Sequence, residues 1–332
     1  MTATEALIED ATFVEAVCAA QRDAMAEDDS IVLLGQDIVA GFPFGATKGL
    51  AEAFGYDRVL NSPISESATM GCGVGAAVAG LRPVVEVDFA GFLYLGLDQL
   101  LNNAAKMRYM SSGQIRVPLV VRVGQGPLGS FAAQHSQSLH ALLAATPGMA
   151  VLAPSDAQSA YDCIRWALKQ QDPVVVCEDL RIYRTKGPLR RSDDPSVSAR
   201  TVRVGADATV LTYGAGTGIA SRAADRLSQE GVAVQVIDLI SLAPLDVGAI
   251  AAAARSTGRV VCLADDSPFF GVGPTIASIA TCEAWDVLAA PVLTVSAKPV
   301  PVPYSERLES QVYPTEQSVE VAVHQVADWA ED

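Results

Sequence analysis

The sequence predicts an α/β protein with two open, mostly parallel, doubly wound domains. Short runs rich in β-branched residues alternate with helical patterns, which is typical of parallel α/β folds. A polar stretch with two prolines at residues 184–200 breaks this alternation and predicts an interdomain linker. We therefore expect one domain over residues 1–183 and a second, smaller domain over residues 201–332, since 332 residues suffice for two full cores.

In the first predicted domain, apolar runs of strand length are separated by segments with helical periodicity. We expect strands at residues 31–34, 83–89, 118–123, 150–153 and 173–178. We expect helices at residues 15–26, 47–54, 67–80, 94–110, 136–145 and 156–170.

The second predicted domain repeats the alternation over a shorter length. We expect strands at residues 208–212, 233–238, 260–264 and 292–295, and helices at residues 219–229, 244–256 and 317–330. The glycines at 214, 216 and 218 follow a strand and open a helix, as a dinucleotide fingerprint would, but their spacing is not GxGxxG. A strand–turn–helix corner is the simpler interpretation, and an NAD-dependent dehydrogenase is the alternative function that this segment leaves open.

Glu66 stands at the start of a predicted helix made almost entirely of small and apolar residues. Such a helix is normally buried on all sides, and Gly71, Gly75 and Ala79 recur at a spacing that would admit another backbone. We therefore expect this helix in the interior or at an interface. An acid there would resist ionisation and could donate a proton at neutral pH. The simpler interpretation is an acid that favours the first turn of a helix.

Composition and charge exclude several classes of protein. A net charge of −15 argues against nucleic-acid binding, which needs clustered Lys and Arg, and leaves room for a basic protein partner. The acidic N-terminus does not resemble a signal peptide, and charges interrupt the most apolar region, so we expect no membrane span. The six scattered cysteines predict reduced core thiols in a cytoplasmic protein.

The three histidines show no spacing typical of a zinc site. His135 follows the glycine-rich loop at residues 124–129, and this loop comes after a predicted strand. Open α/β sheets bind their ligands at the carboxyl ends of strands. His135 is therefore a candidate for the functional site, and a cap or a surface histidine is the alternative.

Three segments are specific enough to indicate a family: Ser62-Pro-Ile-Ser-Glu66, Gly80-Leu-Arg-Pro-Val-Val-Glu86 and Ala133-Gln-His-Ser-Gln-Ser138. With them the chain resembles the β subunit of the thiamine diphosphate-dependent, decarboxylating component of 2-oxoacid dehydrogenase complexes, of which pyruvate, branched-chain and acetoin dehydrogenases are known kinds. Further matching segments follow in the same order over nearly the whole chain, at residues 34–37, 47–50, 54–55, 58–59, 98–99, 102–106, 108–111, 147–148, 172–175, 270–273 and 301–304.

The resemblance implies a pyrimidine-binding domain followed by a transketolase C-terminal-like domain, and it gives residues roles. Glu66 takes the position of the carboxyl group that bonds the cofactor aminopyrimidine and activates it. Ile64 and Phe92 match positions that line the aminopyrimidine pocket, with Asp88 beside them where relatives often carry an uncharged residue. His135 matches the active-site histidine, to which we assign proton transfer or the holding of an intermediate. Backbone carbonyls match a structural potassium site of some relatives, at Leu119, Ala167, Leu168, Gln170 and Asp172.

Relatives hold the cofactor diphosphate through Mg²⁺ on a Gly-Asp-Gly motif, and this sequence has none. The resemblance therefore implies an α subunit that holds Mg²⁺ and the diphosphate, in an α₂β₂ heterotetramer with active sites between unlike chains. The substrate would be a small 2-oxoacid or acyloin, and the product would pass to a lipoyl-bearing acyltransferase core.

Departures from the family pattern leave two other functions open. Leu288-Ala-Ala-Pro291 replaces the usual LDAP, and Lys298-Pro-Val300 replaces a segment with an acid, so docking on an acyltransferase core is in question. One alternative is a free-standing thiamine diphosphate-dependent carboligase or decarboxylase. The other is a non-catalytic scaffold subunit, against which the presence of both Glu66 and His135 argues.

Overall fold

A computed structural model describes residues 7–329. It confirms the α/β class, with two mostly parallel sheets and helices on their faces. The strands are β1 Leu7–Thr12, β2 Ile31–Gly35, β3 Val59–Asn61, β4 Arg82–Val87, β5 Val120–Gln125, β6 Ala150–Leu152, β7 Val174–Asp179, β8 Lys186–Arg190, β9 Arg200–Arg203, β10 Ala208–Thr212, β11 Val234–Asp238, β12 Ser241–Ala243, β13 Val260–Leu263 and β14 Leu293–Val295.

The α-helices differ widely in length. They are α1 Phe13–Glu27, α2 Leu50–Phe54, α3 Glu66–Val78, α4 Ala90–Leu93, α5 Ala105–Met110, α6 Ala132–His135, α7 His140–Ala144, α8 Ala157–Ala167, α9 Ala215–Gln229, α10 Val247–Thr257, α11 Val272–Ala284, α12 Glu306–Glu309 and α13 Glu316–Ala327. The 3₁₀ turns are Tyr94–Gly96 and Leu180–Ile182, and a π-helical segment spans Asp98–Ala104.

The larger sheet has seven strands in the order β12-β6-β7-β5-β4-β2-β3. It is parallel except at one edge, where β12 joins β6 antiparallel. The central strands β5 and β7 are buried along their whole length, as expected for strands covered on both faces. Because β12 follows the predicted linker, both parts of the chain contribute to this sheet.

The smaller sheet has five strands in the order β14-β13-β10-β11-β9. It is parallel except for β9, which pairs antiparallel with β11. Helices α9 and α13 cover one face, and their apolar residues form a cluster with β10, β11 and β13. The predicted boundary between the domains stays a prediction, because the two parts of the chain share the larger sheet.

The helix starts follow local rules. Thr12 caps α1 through a capping box with Glu15, and Asp156 caps α8 through one with Ser159. Tyr161 on α8 also donates to Asp23 of α1 at 2.9 Å, so the two helices are joined by a polar contact as well as by their apolar faces. The helix expected from residue 156 is therefore confirmed as α8, with Asp156 as its N-cap.

Several expectations are wrong in detail. Part of the predicted linker is the strand β8, which pairs with β1, a strand that the sequence did not predict. The helix expected over residues 94–110 is divided into a 3₁₀ turn, a π-helical segment and α5. Helix α11, the short helix α12 and the strands β3, β9 and β12 were also missed.

The cysteines agree only partly with a core role. All six are free, and Cys163, Cys177 and Cys262 are buried, but Cys72 and Cys282 are exposed. Within residues 7–329, none of the helices combines the length and the apolar character needed to cross a membrane.

Candidate functional site

A narrow cleft opens at the carboxyl end of β4, next to the start of α3. Four of the predicted site residues line it together: Ile64, Glu66, Asp88 and Phe92. Its volume is about 20 Å³, enough for roughly one water molecule, so the described chain offers a wall of a site rather than a closed pocket. This edge is where parallel sheets place their ligands.

Glu66 is the first residue of α3, and its side chain is half-buried. The preceding Ser65 makes no side-chain cap, and the Glu66 carboxylate has no hydrogen-bond partner within residues 7–329. Neither carboxylate oxygen is among the buried, unpartnered atoms of the described residues, so both oxygens reach the solvent at the cleft. The structure therefore leaves this carboxylate available to a group from outside the described chain.

Helix α3 is not buried on all sides in the single chain, so of the two predicted locations, interior or interface, the structure excludes the interior. Its buried residues are on one face and include Met70 and Val74, whereas Cys72, Gly75 and Val78 are exposed. A Cβ atom added at Gly75 would meet nothing within 4 Å. No backbone within the described residues fills this small-residue face, and its role as an interface stays a prediction.

An aromatic cluster joins His135 to the cleft. The His135 ring lies 5.2 Å from the ring of Phe92 and 4.8 Å from that of Phe89, both nearly perpendicular to it. Phe131 lies 6.2 Å away on the same cluster. Edge-to-face contacts of this kind hold a ring in one orientation. Although His135 is 69 positions after Glu66, the fold brings both residues to Phe92.

The segment that carries His135 has an unusual backbone. His135 ends the short helix α6, instead of preceding a helix over residues 136–145 as predicted, and α7 begins only at His140. Ser130 and Ala132 both have φ of +59°. Non-glycine residues in this left-handed region cost about 1–3 kcal/mol each and concentrate at functional sites.

Asp88 lies in the cleft with no hydrogen bond from another described residue, and its Oδ1 atom is buried. Burial, which is the largest cause, and the negative charges of Glu86 and Asp37 together raise the pKa of Asp88 to about 7, against the nearby Arg122. Asp88 is therefore partly protonated at neutral pH. Asp88 lies on the cleft wall with the other predicted residues, and its role stays a prediction.

A buried ion network below the cleft was missed from the sequence. Arg122 on β5 is 2% exposed and forms a two-pronged pair with Glu178, at 2.7 Å from Nε to Oε1 and 2.7 Å from Nη2 to Oε2. It also pairs with Glu86, which lines the cleft. Burial alone would lower the pKa of Arg122, but the charges of Glu178 and Glu86 outweigh it and keep the pKa above its usual value. Charged residues within apolar strand runs were the available signal.

Four of the five carbonyl groups of the predicted potassium site already have donors. Arg82 donates through Nη1 to the carbonyls of Leu168 and Gln170, at 2.9 Å each. The Leu119 carbonyl accepts from Val174 and the Ala167 carbonyl accepts from Gln170. The Asp172 carboxylate pairs with Arg108. Among residues 7–329, no three His, Cys, Asp or Glu side chains are grouped to hold a metal ion.

The glycine-rich corner after β10 is a strand–turn–helix connection, as predicted. Helix α9 begins at Ala215, four residues earlier than expected. A Cβ atom at Gly216 would lie 2.3 Å from Thr212 Oγ1, so this glycine allows the helix to pack closely against the strand. Close packing of the helix against the strand therefore explains the glycine at position 216 without a bound dinucleotide.

Comparison with known proteins agrees with this architecture. Residues 9–186 match the transketolase pyrimidine-binding domain, and residues 198–319 match the transketolase C-terminal domain. A solved structure described as an inactive β4 tetramer of a split-gene transketolase superposes with a TM-score of 0.75 over 95% of this chain and 97% of its own, at 24% identity.

Relatives of known name cover almost the whole chain. The pyruvate dehydrogenase E1 component subunit beta of Rickettsia bellii is 36% identical over 95% of this chain and 98% of its own length. The 2-oxoisovalerate dehydrogenase subunit beta of Bacillus subtilis is 35% identical over 96% of this chain and 99% of its own length. The acetoin:2,6-dichlorophenolindophenol oxidoreductase subunit beta of the same organism is 35% identical over 91% of this chain and 92% of its own length. The chain therefore belongs to the family of E1 β subunits of pyruvate, acetoin and branched-chain 2-oxoacid dehydrogenases.

Proposed function

We propose that the cleft beside Glu66 binds the aminopyrimidine half of thiamine diphosphate in a 2-oxoacid or acetoin-type dehydrogenase. The observation that carries this proposal is the half-buried Glu66 carboxylate, which has no hydrogen-bond partner among the described residues. It lines the same cleft as the exposed Ile64 and the ring of Phe92. A flat heteroaromatic ring with a basic nitrogen fits this arrangement. It would satisfy the carboxylate, and Phe92 offers it an aromatic side chain.

When bound, the cofactor would supply a nucleophilic thiazolium carbon for the reaction with the carbonyl group of the substrate. Glu66 has the role of holding a proton at the ring nitrogen N1′ and so favouring the reactive tautomer of the aminopyrimidine. Ile64 and Phe92 orient the ring and exclude water from it. Ile64 is 75% exposed in the single chain, and bound cofactor would cover it.

His135 has the role of moving a proton to or from the substrate. It packs against Phe92, so it lies one ring away from the proposed aminopyrimidine position. The imidazole is only half-buried, so a small molecule could reach it. Positioned general acids and bases of this kind contribute about 10²–10⁴-fold to rates.

We infer that an α subunit completes the site. The sequence has no Gly-Asp-Gly motif, and the cleft is only one wall, so Mg²⁺ and the diphosphate group belong to the partner in an α₂β₂ assembly. The chain without a partner should bind thiamine diphosphate weakly. Tight binding by the isolated chain in a calorimetric titration would contradict the split site.

Glu66→Gln is the decisive variant for the role of the carboxylate. In the complex with the partner subunit, turnover should fall by about 10²–10⁴-fold, because the proton relay to the cofactor is lost. The assay is 2-oxoacid- or acetoin-dependent reduction of 2,6-dichlorophenolindophenol at saturating cofactor. Glu52→Gln on the exposed face of α2 is the control and should leave turnover unchanged. Full activity of the Glu66 variant would refute the relay.

The fate of the product separates a complex component from a free-standing carboligase or decarboxylase. We propose transfer to a lipoyl-bearing acyltransferase core, consistent with the net charge of −15 and a basic docking partner. The tagged chain should then co-purify from its source with a lipoylated protein as well as with the α subunit. Purification of an active α–β complex without any lipoylated protein would favour the free-standing enzyme.

A potassium ion at the carbonyls around Arg82 is a separate proposal. The bound ion would use the remaining lone pairs of carbonyls that already accept from N–H groups. Potassium chloride should then raise the melting temperature above its value in choline chloride at equal ionic strength. Equal melting temperatures in the two salts would contradict a bound potassium ion at these carbonyls.

A further inference from the structure

The backbone before His135 is bound by a carboxylate from the far end of the chain. Gly129 and Ser130 donate their amide protons to Glu309, at 3.0 Å to Oε1 and 2.8 Å to Oε2. Glu309 is the last residue of α12 and is only 5% exposed. Its four-residue helix is otherwise exposed, so burial singles out this one acid.

Two amides converge on one carboxylate because of the local backbone. Gly129 has φ of +80° and Ser130 has φ of +59°, so successive N–H groups form a concave donor pair of the kind that binds anions. A buried carboxylate needs such partners, and a backbone with positive φ needs tertiary support. Each feature therefore explains the other.

The backbone after His135 is bound from the same C-terminal region. The Tyr313 hydroxyl group donates to the carbonyl oxygen of Ser136. Tyr313 is itself held, since the Arg181 guanidinium lies 5.5 Å from its ring centre, and Arg181 pairs with Asp179 and Asp265. His135 thus lies between two attachment points, six residues apart at Ser130 and Ser136.

We propose that Glu309 and Tyr313 are positioning residues for His135: together they clamp the segment that carries the imidazole and fix it against Phe92. The inference rests on the proposed function, since it concerns the placement of a group with a role in that reaction. It predicts that loosening the clamp lowers kcat and leaves the KM values for substrate and cofactor nearly unchanged. The reason is that misplacing a reacting group affects the chemical step more than binding.

Hydrogen exchange and steady-state kinetics test the clamp together, on the complex with its partner subunit. In Glu309→Ala, amide exchange should accelerate in peptides that cover residues 126–136, and kcat should fall on the order of 10-fold while KM stays within about twofold. Glu309→Gln keeps one acceptor and should lie between the wild type and Glu309→Ala. Tyr313→Phe should show the same pattern. Glu306→Gln, on the exposed face of the same short helix, is the matched control.

The outcomes separate the clamp from the proposed function. Unchanged kcat in both Glu309→Ala and Tyr313→Phe, or a change in KM at constant kcat, would overturn the positioning role. If Glu309→Ala does not fold, Glu309→Gln and Tyr313→Phe decide in its place. If wild type shows no turnover, the proposed function fails, and accelerated exchange at residues 126–136 in the variants still establishes the clamp.

Discussion

The two parallel sheets both carry acids just beyond their strands, but they treat these acids differently. In the five-stranded sheet, Asp265 pairs with Arg181, and Asp266 accepts from the amide of Val272 at the start of α11. In the seven-stranded sheet, Glu66 and Asp88 have no hydrogen-bond partner among the described residues. The acids of the smaller sheet hold the fold together, whereas Glu66 and Asp88 make no such contact within the described residues, as expected for the ligand-binding role proposed for Glu66.

The difference teaches how to separate structural from functional acids in one chain. Burial alone does not, because Asp265 and Asp266 are more deeply buried than Glu66. The absence of any hydrogen bond or ion pair to the carboxylate is the better guide, since buried polar groups are normally satisfied. Asp265 and Asp266 each leave one oxygen without a partner but bind through the other. Three experiments would break or sharpen this comparison.

The largest effect is expected at Arg122, which pairs with two largely buried acids within the strands of the larger sheet, Glu86 and Glu178. Arg122→Met leaves Glu86 and Glu178 buried without their cation, so the free energy of unfolding should fall by about 3–5 kcal/mol. Denaturant unfolding of the full chain measures it. Arg203→Met, at an exposed pair with Asp225, is the control and should change stability by less than about 1 kcal/mol. An equally small effect at Arg122 would mean that the network contributes little.

A matched pair of variants tests the comparison directly. Asp266→Ala removes the carboxylate bound to Val272 at 2.5 Å and should cost about 1–2 kcal/mol, the usual cost of a lost helix cap. Glu66→Ala removes no hydrogen bond within the described chain and should stay within about 0.5 kcal/mol of wild type. Thermal unfolding of the isolated chains measures both. A larger loss at Glu66 than at Asp266 would reverse the assignment of roles.

The third experiment measures the pH dependence contributed by Asp88. Its pKa is raised to about 7 in the folded chain by burial and by the nearby carboxylates. The unfolded chain therefore loses this proton at a lower pH than the folded chain does. The native state binds more protons between the two pKa values, so wild type should lose stability relative to Asp88→Asn as pH rises from about 4 to 7.

Above pH 7 the difference between wild type and Asp88→Asn should level off, and below pH 4 it should be smallest. Asp57→Asn, on an exposed turn before β3, is the control for the loss of one charge. Melting temperatures of the three chains across this pH range test the prediction. A difference independent of pH would show that Asp88 does not titrate in this window.

The sequence predicted the interior of the fold better than its margins. Strands β5 and β7 are buried on both faces, so each is a run of mostly apolar residues. Such a run can be recognised within one short segment of the sequence. Strand β1 has four exposed residues of six and pairs with β8, about 180 positions away, so nothing local reveals it. The π-helical segment at residues 98–104 likewise has no local signature.

For the site, residue types and resemblance pointed to Glu66, Phe92 and His135, and the structure brings them together. The missing hydrogen-bond partner of Glu66 could not be predicted, because it depends on which side chains other strands place nearby. The contact of Glu309 with Gly129 and Ser130 joins positions about 180 residues apart and depends on backbone conformation. Such contacts follow from tertiary packing rather than from any segment.

The shared edge of the larger sheet constrains how this chain can be recombined. Strand β12 lies beyond the predicted linker, yet it pairs with β6, and the amide of Ala153 donates to the Ile240 carbonyl at 2.8 Å. A hybrid gene that joins the first part of this protein to the second part of a relative therefore inherits a foreign edge strand. Fusions that exchange residues 239–245 together with the first part would keep the native ladder, whereas a crossover at the linker would not.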